Sequence, residues 1–183
     1  MNKKLRIAGI IGALVVSAII LSSPSNAPPL PEPTSSQSGN EFVEVLATGL
    51  DKPWAIDIAG NRVFITEKDG RIRVVDDGTL LEEPLATLRA ADVFGGGLLG
   101  IATHPDFENN HFLYVYYTYE ENGMLWNKVL RIKESENKLE DATIIFDKIP
   151  GSKFNNGGVI KFGPDGMLYV ATGIISDSSH GPQ

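Results

Sequence analysis

Residues 159–173 read VIKFGPDGMLYVATG: a short apolar run, a Gly-Pro-Asp-Gly turn, and a second run built from aliphatic and aromatic residues. Gly and Asp supply the backbone conformations of tight turns, and β-branched and aromatic side chains suit a pleated surface. The same layout occurs in AIDIAGNRVFITE at 55–67 and in GIATHPDFENNHFLYVYYT at 100–118. The second stretch begins about 45 residues after the first, and the third about 59 after the second. With about four short strands per unit, that is the spacing of β-propeller blades. A β-sandwich with similar turns is the alternative; the internal similarity favours the propeller.

Working outward, no segment beyond Glu41 holds a 3.6-residue apolar period for three turns, so the domain is expected to be all-β. Strands are predicted at 43–48, 55–58, 63–67, 72–75, 98–103, 113–119, 128–133, 159–162 and 168–172. Lys68-Asp69-Gly70 reads as a hairpin turn. Along 112–119, Phe112, Tyr114, Tyr116 and Thr118 share one face, and Leu113, Val115, Tyr117 and Tyr119 the other. Both faces are largely apolar, as a strand buried between neighbouring sheets requires. Residues 41–183 hold enough strands for roughly two and a half to three blades. The expectation is the N-terminal part of a ring that is incomplete at its C-terminus, with an apolar face bare at each end.

Ahead of this domain, Lys3, Lys4 and Arg6 precede the apolar run IAGIIGALVVSAIIL at 7–21, and Ser25-Asn26-Ala27 offers small residues for cleavage. Residues 1–27 therefore read as a signal peptide, or as an uncleaved N-terminal anchor tethering the chain to a membrane through residues 7–21. Residues 28–40, rich in Pro and Ser, read as a linker. Either fate of the leader places the domain in an extracytoplasmic location.

All 23 acidic residues follow the leader, leaving the rest of the chain at a net charge of about −10. Without a basic stripe, nucleic acid is a poor partner. The chain has no cysteine, which removes disulfides, thiolate metal sites and thiol catalysis together. No Asp-x-Asp-x-Asp loop or His-x-x-x-His pair is present, so no metal site is expected in this portion. The neighbouring carboxylates Asp76-Asp77, Glu82-Glu83 and Glu120-Glu121 make poor dyads, because adjacent strand residues point to opposite faces. His104, in a His-Pro-Asp-Phe turn, and His111 read as structural or solvent-facing, and Trp54 as packing between sheets. His180 is a secondary candidate base with no acid fixed beside it.

Four runs, LDKPWAIDI at 50–58, ITEKDGRIRVVDDG at 65–78, GGLLGIATHPDFENNHFLYVYYTY at 96–119 and NNGGVIKFGPDGMLYVATG at 155–173, together resemble the glucose/sorbosone dehydrogenase family. That family includes soluble aldose sugar dehydrogenases that use pyrroloquinoline quinone (PQQ). The resemblance implies a six-bladed propeller, with PQQ and sugar on the top face, calcium supporting the quinone, and an external electron acceptor. It also implies a general-base His just before a Gly-Gly pair. This chain has Asn155 at that position, and an amide cannot take a proton. Ile174 stands where the resemblance implies Asp, and Gly95 where a cofactor-side loop often carries Gln or Glu. Asn155 is thus the candidate catalytic position, and Gly95 and Ile174 are candidate cofactor-side positions. All three depart from the pattern. The implied activity is oxidation of a sugar-like hydroxyl by hydride transfer to the quinone, with this chain expected to be inactive. The alternative is a non-catalytic secreted propeller that binds a ligand or protein.

Overall fold

The structure is a computed structural model that describes residues 6–7 and 44–174. Most of the expected leader and linker, and His180, lie outside the described residues. The chain divides into two compact units, Met1–Leu46 and Ala47–Gln183. In the first, β1 (Arg6–Ile7) pairs in parallel with β2 (Glu44–Val45). Among the described residues, no helix is long and apolar enough to cross a membrane.

The second unit is almost entirely β, in three successive antiparallel sheets. The first contains β3 (Pro53–Ala59), β4 (Arg62–Glu67), β5 (Arg71–Asp76) and β6 (Thr79–Leu80), with β7 (Ala86–Thr87) also pairing with β5. The second runs β8 (Leu98–Thr103), β9 (Phe112–Glu121), β10 (Met124–Ser135) and β11 (Lys138–Pro150). The third pairs β12 (Gly157–Phe162) with β13 (Leu168–Thr172). One four-residue helix, α1 (Phe107–Asn110), lies between β8 and β9 and ends at His111 in the left-handed conformation. No sheet closes on itself among the described residues.

The middle sheet has no solvent-facing side over most of β9. Leu113, Val115, Tyr117 and Tyr119 pack with Phe64, Ile72 and Val74 of the first sheet. From the opposite face Tyr116 joins Leu99, Val129, Ile149 and Ile160, with Tyr114 alongside. The two-faced apolar reading of 112–119 is therefore realised as two cores separated by one sheet. Each fully buried aliphatic or aromatic side chain contributes about 1.5–3 kcal/mol, so this sheet carries most of the unit's cohesion.

Polar groups stitch the seams. The Asp57 carboxylate of β3 accepts from the Thr103 backbone N–H at 2.6 Å and from its hydroxyl at 2.8 Å. Arg62 of β4 reaches Glu134 of β10 with two nitrogens, at 2.8 and 3.2 Å. Glu134 is buried, and His111 Nδ1 lies 3.2 Å from it. Between the second and third sheets, a Cβ on Gly100 would sit 2.0 Å from the Gly158 carbonyl oxygen. Glycine there lets the two backbones touch.

In the second unit three strands escape the sequence reading: β6, β7 and the 13-residue β11. The first two are two-residue pairings with no room for a period. β11 is an edge strand exposed along most of its length, and its register is broken: Phe146 pairs with Val129 and Ile144 with Leu130, so Ile145 is an extra residue. A bulge of this kind erases the alternation by which strands are recognised. The strand predicted at 43–48 contracts to Glu44–Val45.

Candidate functional site

β3, β8 and β12 open their respective sheets, and β8 adjoins both of the others. Together they line a groove of ≈ 460 Å³ that includes Trp54, Asp57, Thr103, Val159 and Lys161. The ends at which these three strands begin form a rim. There the Leu98 N–H donates to the Lys68 carbonyl at 3.0 Å, and the Lys68 N–H to the Lys52 carbonyl at 3.1 Å.

Two loops meet on this rim, 88–97 between β7 and β8, and 151–156 between β11 and β12. The Gly95 N–H donates to the Lys153 carbonyl at 2.7 Å. A Cβ on Gly95 would lie 2.7 Å from Phe154 Cα, and one on Gly173 only 1.5 Å from the Asn155 carbonyl oxygen. The Asn155 backbone is thus wedged between Gly95 and the glycine that precedes Ile174. All three candidate positions, far apart in sequence, are brought together.

Their side chains do not compose an acid–base site. Asn155 adopts φ 57, a left-handed conformation that Asn tolerates, and its side chain is exposed. Ile174 is 85% exposed. Beside them Phe94 and Phe154, 82% and 55% exposed, hold their rings 5.4 Å apart at 54°. Lys68 Nζ donates to the Phe94 carbonyl at 2.7 Å and lies 5.0 Å from the Trp54 ring centroid. Trp54, expected to pack between sheets, instead faces outward at 57% exposure. Its strand alternates, so Trp54, Ile56 and Ile58 share the face turned away from the first core.

Sequence reading overlooked Asn156, which is 1% exposed. Its Nδ2 donates to the carbonyls of Gly95 at 2.9 Å and Ser152 at 2.8 Å. Its Oδ1 accepts from the Ser152 N–H at 2.9 Å and from Asn127 Nδ2 at 3.1 Å. Its main-chain carbonyl accepts from the Tyr116 hydroxyl at 3.0 Å and the Gly173 N–H at 3.1 Å. No signal in the sequence separates Asn156 from the neighbouring Asn155; their burial does.

His104 and His111 make local contacts. His104 Nδ1 accepts from the Asp106 N–H at 3.0 Å, and the ring stacks 6.3 Å from Tyr114 and packs edgewise 5.3 Å from Phe162. His111 caps α1 and packs edgewise against Phe107.

Position 155 carries no proton acceptor, and among the described residues no three His, Asp or Glu side chains form a cluster able to hold a cation. The N–H groups of Gly95 and Gly96 are spent on the carbonyls of Lys153 and Val93. The described residues thus supply neither the proton acceptor nor the cation ligands that PQQ with calcium would use.

Residues 50–183 match the family model described as Glucose / Sorbosone dehydrogenase. The chain belongs to that family. It is 34% identical over 139 residues to an uncharacterised protein of Synechocystis, covering 68% of this chain and 33% of that protein. It is 30% identical over 154 residues to the Hedgehog-interacting protein of Mus musculus, covering 72% of this chain and 22% of that protein. Among solved structures it resembles the PQQ-bound form of aldose sugar dehydrogenase from Streptomyces coelicolor, with TM-score 0.65 and 33% identity over 72% of this chain and 41% of that one. The chain thus spans a fifth to two-fifths of the length of these relatives.

Proposed function

We propose that the three sheets are consecutive blades of a six-bladed β-propeller, and that the whole protein is an extracytoplasmic sugar-binding protein of the quinoprotein type whose dehydrogenase chemistry has lapsed at this rim. One observation carries the reading: Asn155 occupies the backbone wedge between Gly95 and Gly173, while its side chain presents only an amide. A general base must bind a proton near the working pH, as imidazole does; an amide orients a hydroxyl and leaves its proton in place. Ile174 removes a second acceptor from the same edge. PQQ, where bound in this family, supplies the hydride acceptor. In this chain the rim residues bind and orient a sugar-like hydroxyl compound, and no external electron acceptor is reduced. Residues 1–27 serve as signal peptide or anchor, and 28–40 as the linker.

A second reading, a propeller that binds a protein through this rim, is favoured by the solvent-facing Phe94–Phe154 pair and by a relative named for its interaction with Hedgehog. Dye reduction by the full-length protein, supplied with PQQ and calcium and offered a panel of aldoses, tests the first reading. The expected result is no turnover for the natural sequence and measurable turnover for Asn155→His combined with Ile174→Asp. Natural turnover that survives Asn155→Ala would defeat it.

A further inference from the structure

We propose that Asn156 is the positioning residue of the rim, a polar latch that joins loops 88–97 and 151–156 into one body and fixes how Asn155 is presented. The inference rests on reading position 155 as ligand-facing, and concerns a residue that touches no ligand itself.

Four observations converge. Asn156 is almost wholly buried, and both donors and both acceptor sites of its amide are used. The amide orientation is dictated by main-chain groups, since Oδ1 faces an N–H and Nδ2 faces two carbonyls; a flipped amide would set like against like. The partners belong to four separate segments: the Gly95 loop, β9 through Tyr116, β10 through Asn127, and the end of β13 through Gly173. Asn127 extends the network, donating to the Pro150 carbonyl at 3.0 Å and accepting from the Thr118 hydroxyl at 2.7 Å. A residue of this kind sets backbone positions, because moving any one partner leaves a buried polar group unsatisfied.

The latch is specific to an amide. In Asn156→Asp, the ionised carboxylate would turn an oxygen toward the Gly95 and Ser152 carbonyls, where the native amide donates. Burial and those carbonyl dipoles would favour the protonated carboxyl, which can donate to one of them. Tyr116, held un-ionised by burial, is the titratable side chain in contact with Asn156. Of the charged groups on the two loops, Lys153 lies on one and Arg89 and Asp92 on the other, while Lys68 reaches in to the Phe94 carbonyl.

The test is residue-resolved amide exchange on the full-length protein, corrected for the intrinsic pH dependence, at acidic and neutral pH. Reporters are the Gly95, Ser152 and Gly173 amides, with Phe64 and Val115 as core controls. In Asn156→Ala the three reporters should exchange at least tenfold faster while the controls keep their rates. In Asn156→Asp they should be protected at acidic pH and released at neutral pH, a profile the natural protein lacks. Unchanged reporters in Asn156→Ala, pH-independent exchange in Asn156→Asp, or controls that accelerate in step would each overturn the latch. Should Asn156→Ala fail to fold, Asn156→Asp carries the test through its pH profile. No ligand or turnover enters the measurement, so its outcome is separate from that of the dye assay.

Discussion

The seam between the first two sheets rests on an ion pair whose removal has a calculable cost. Glu134 is 3% exposed, and its partner Arg62 15%. Replacing Glu134 with Leu keeps similar volume and removes the guanidinium's closest counter-charge in a largely dry setting. Breaking a buried pair from one side costs about 3–5 kcal/mol. Arg62 keeps part of its compensation: Asp76 lies 3.8 Å from Nε, Asn137 accepts from Nη2, and the guanidinium carbon stands 4.9 Å from the Phe64 ring centroid. The lower end, about 3 kcal/mol, is therefore expected. His111 also loses a partner, but a half-exposed imidazole adds only a few tenths of a kcal/mol, about the value of a surface pair. Arg62→Met with Glu134→Leu removes both charges and should return to within about 1 kcal/mol of the parent. The assay is urea denaturation of the full-length protein and its single and double variants at neutral pH. A single-variant cost below about 1 kcal/mol, or a double variant as unstable as the two singles added, would refute the reasoning.

Two further outcomes concern the buried tyrosines of β9 and the glycine after β13. Burial raises the Tyr116 hydroxyl pKa; burial and Asp147 raise Tyr117; and Tyr119 rises through burial, then through its 2.6 Å hydrogen bond to Asp147. Each folded pKa lies above its unfolded value of about 10, so this stability is complete below about pH 10 and lost as pH rises beyond it. The melting temperature should begin to fall near that pH, and a flat profile through pH 11 would contradict the assignment. Gly173→Ala sets a Cβ 1.5 Å from the Asn155 carbonyl oxygen, which only backbone displacement relieves. It should cost about 1–3 kcal/mol in urea denaturation, and a neutral result would mean the rim is not wedged there.

The centre of β9 was legible at 113–119, because a strand apolar on both faces lies between two sheets. β11 was illegible for a physical reason: solvent on both sides removes selection for alternation, and the bulge at Ile145 shifts whatever phase remains. At the rim, Gly95, Asn155 and Ile174 were singled out by motif, and the backbone at Asn155 lies against Gly95 and Gly173. Asn156 was not found, since its role depends on Gly95, 61 residues back, and Asn127, 29 back. Burial distinguishes it from Asn155, and burial is a property of the assembled loops. Trp54 went astray for the converse reason, as an aromatic beside a strand start reads as core whether or not another sheet lies over it.

The extra residue in β11 has a bearing on how copies of the protein behave in a crowd. Ile144, Ile145 and Phe146 are exposed on the outermost strand of the middle sheet, an apolar run beside unpaired backbone groups of the sort that recruits a stranger's strand. Where Ile145 bulges, the line of N–H and C=O groups bends away from straight pairing. Lys148, at φ 57, turns the backbone a second time and pairs with Glu121, setting a charge beside the run. A would-be partner strand meets an interrupted ladder. The irregularity that hides β11 from a reader of the sequence also makes that edge a poor template for aggregation.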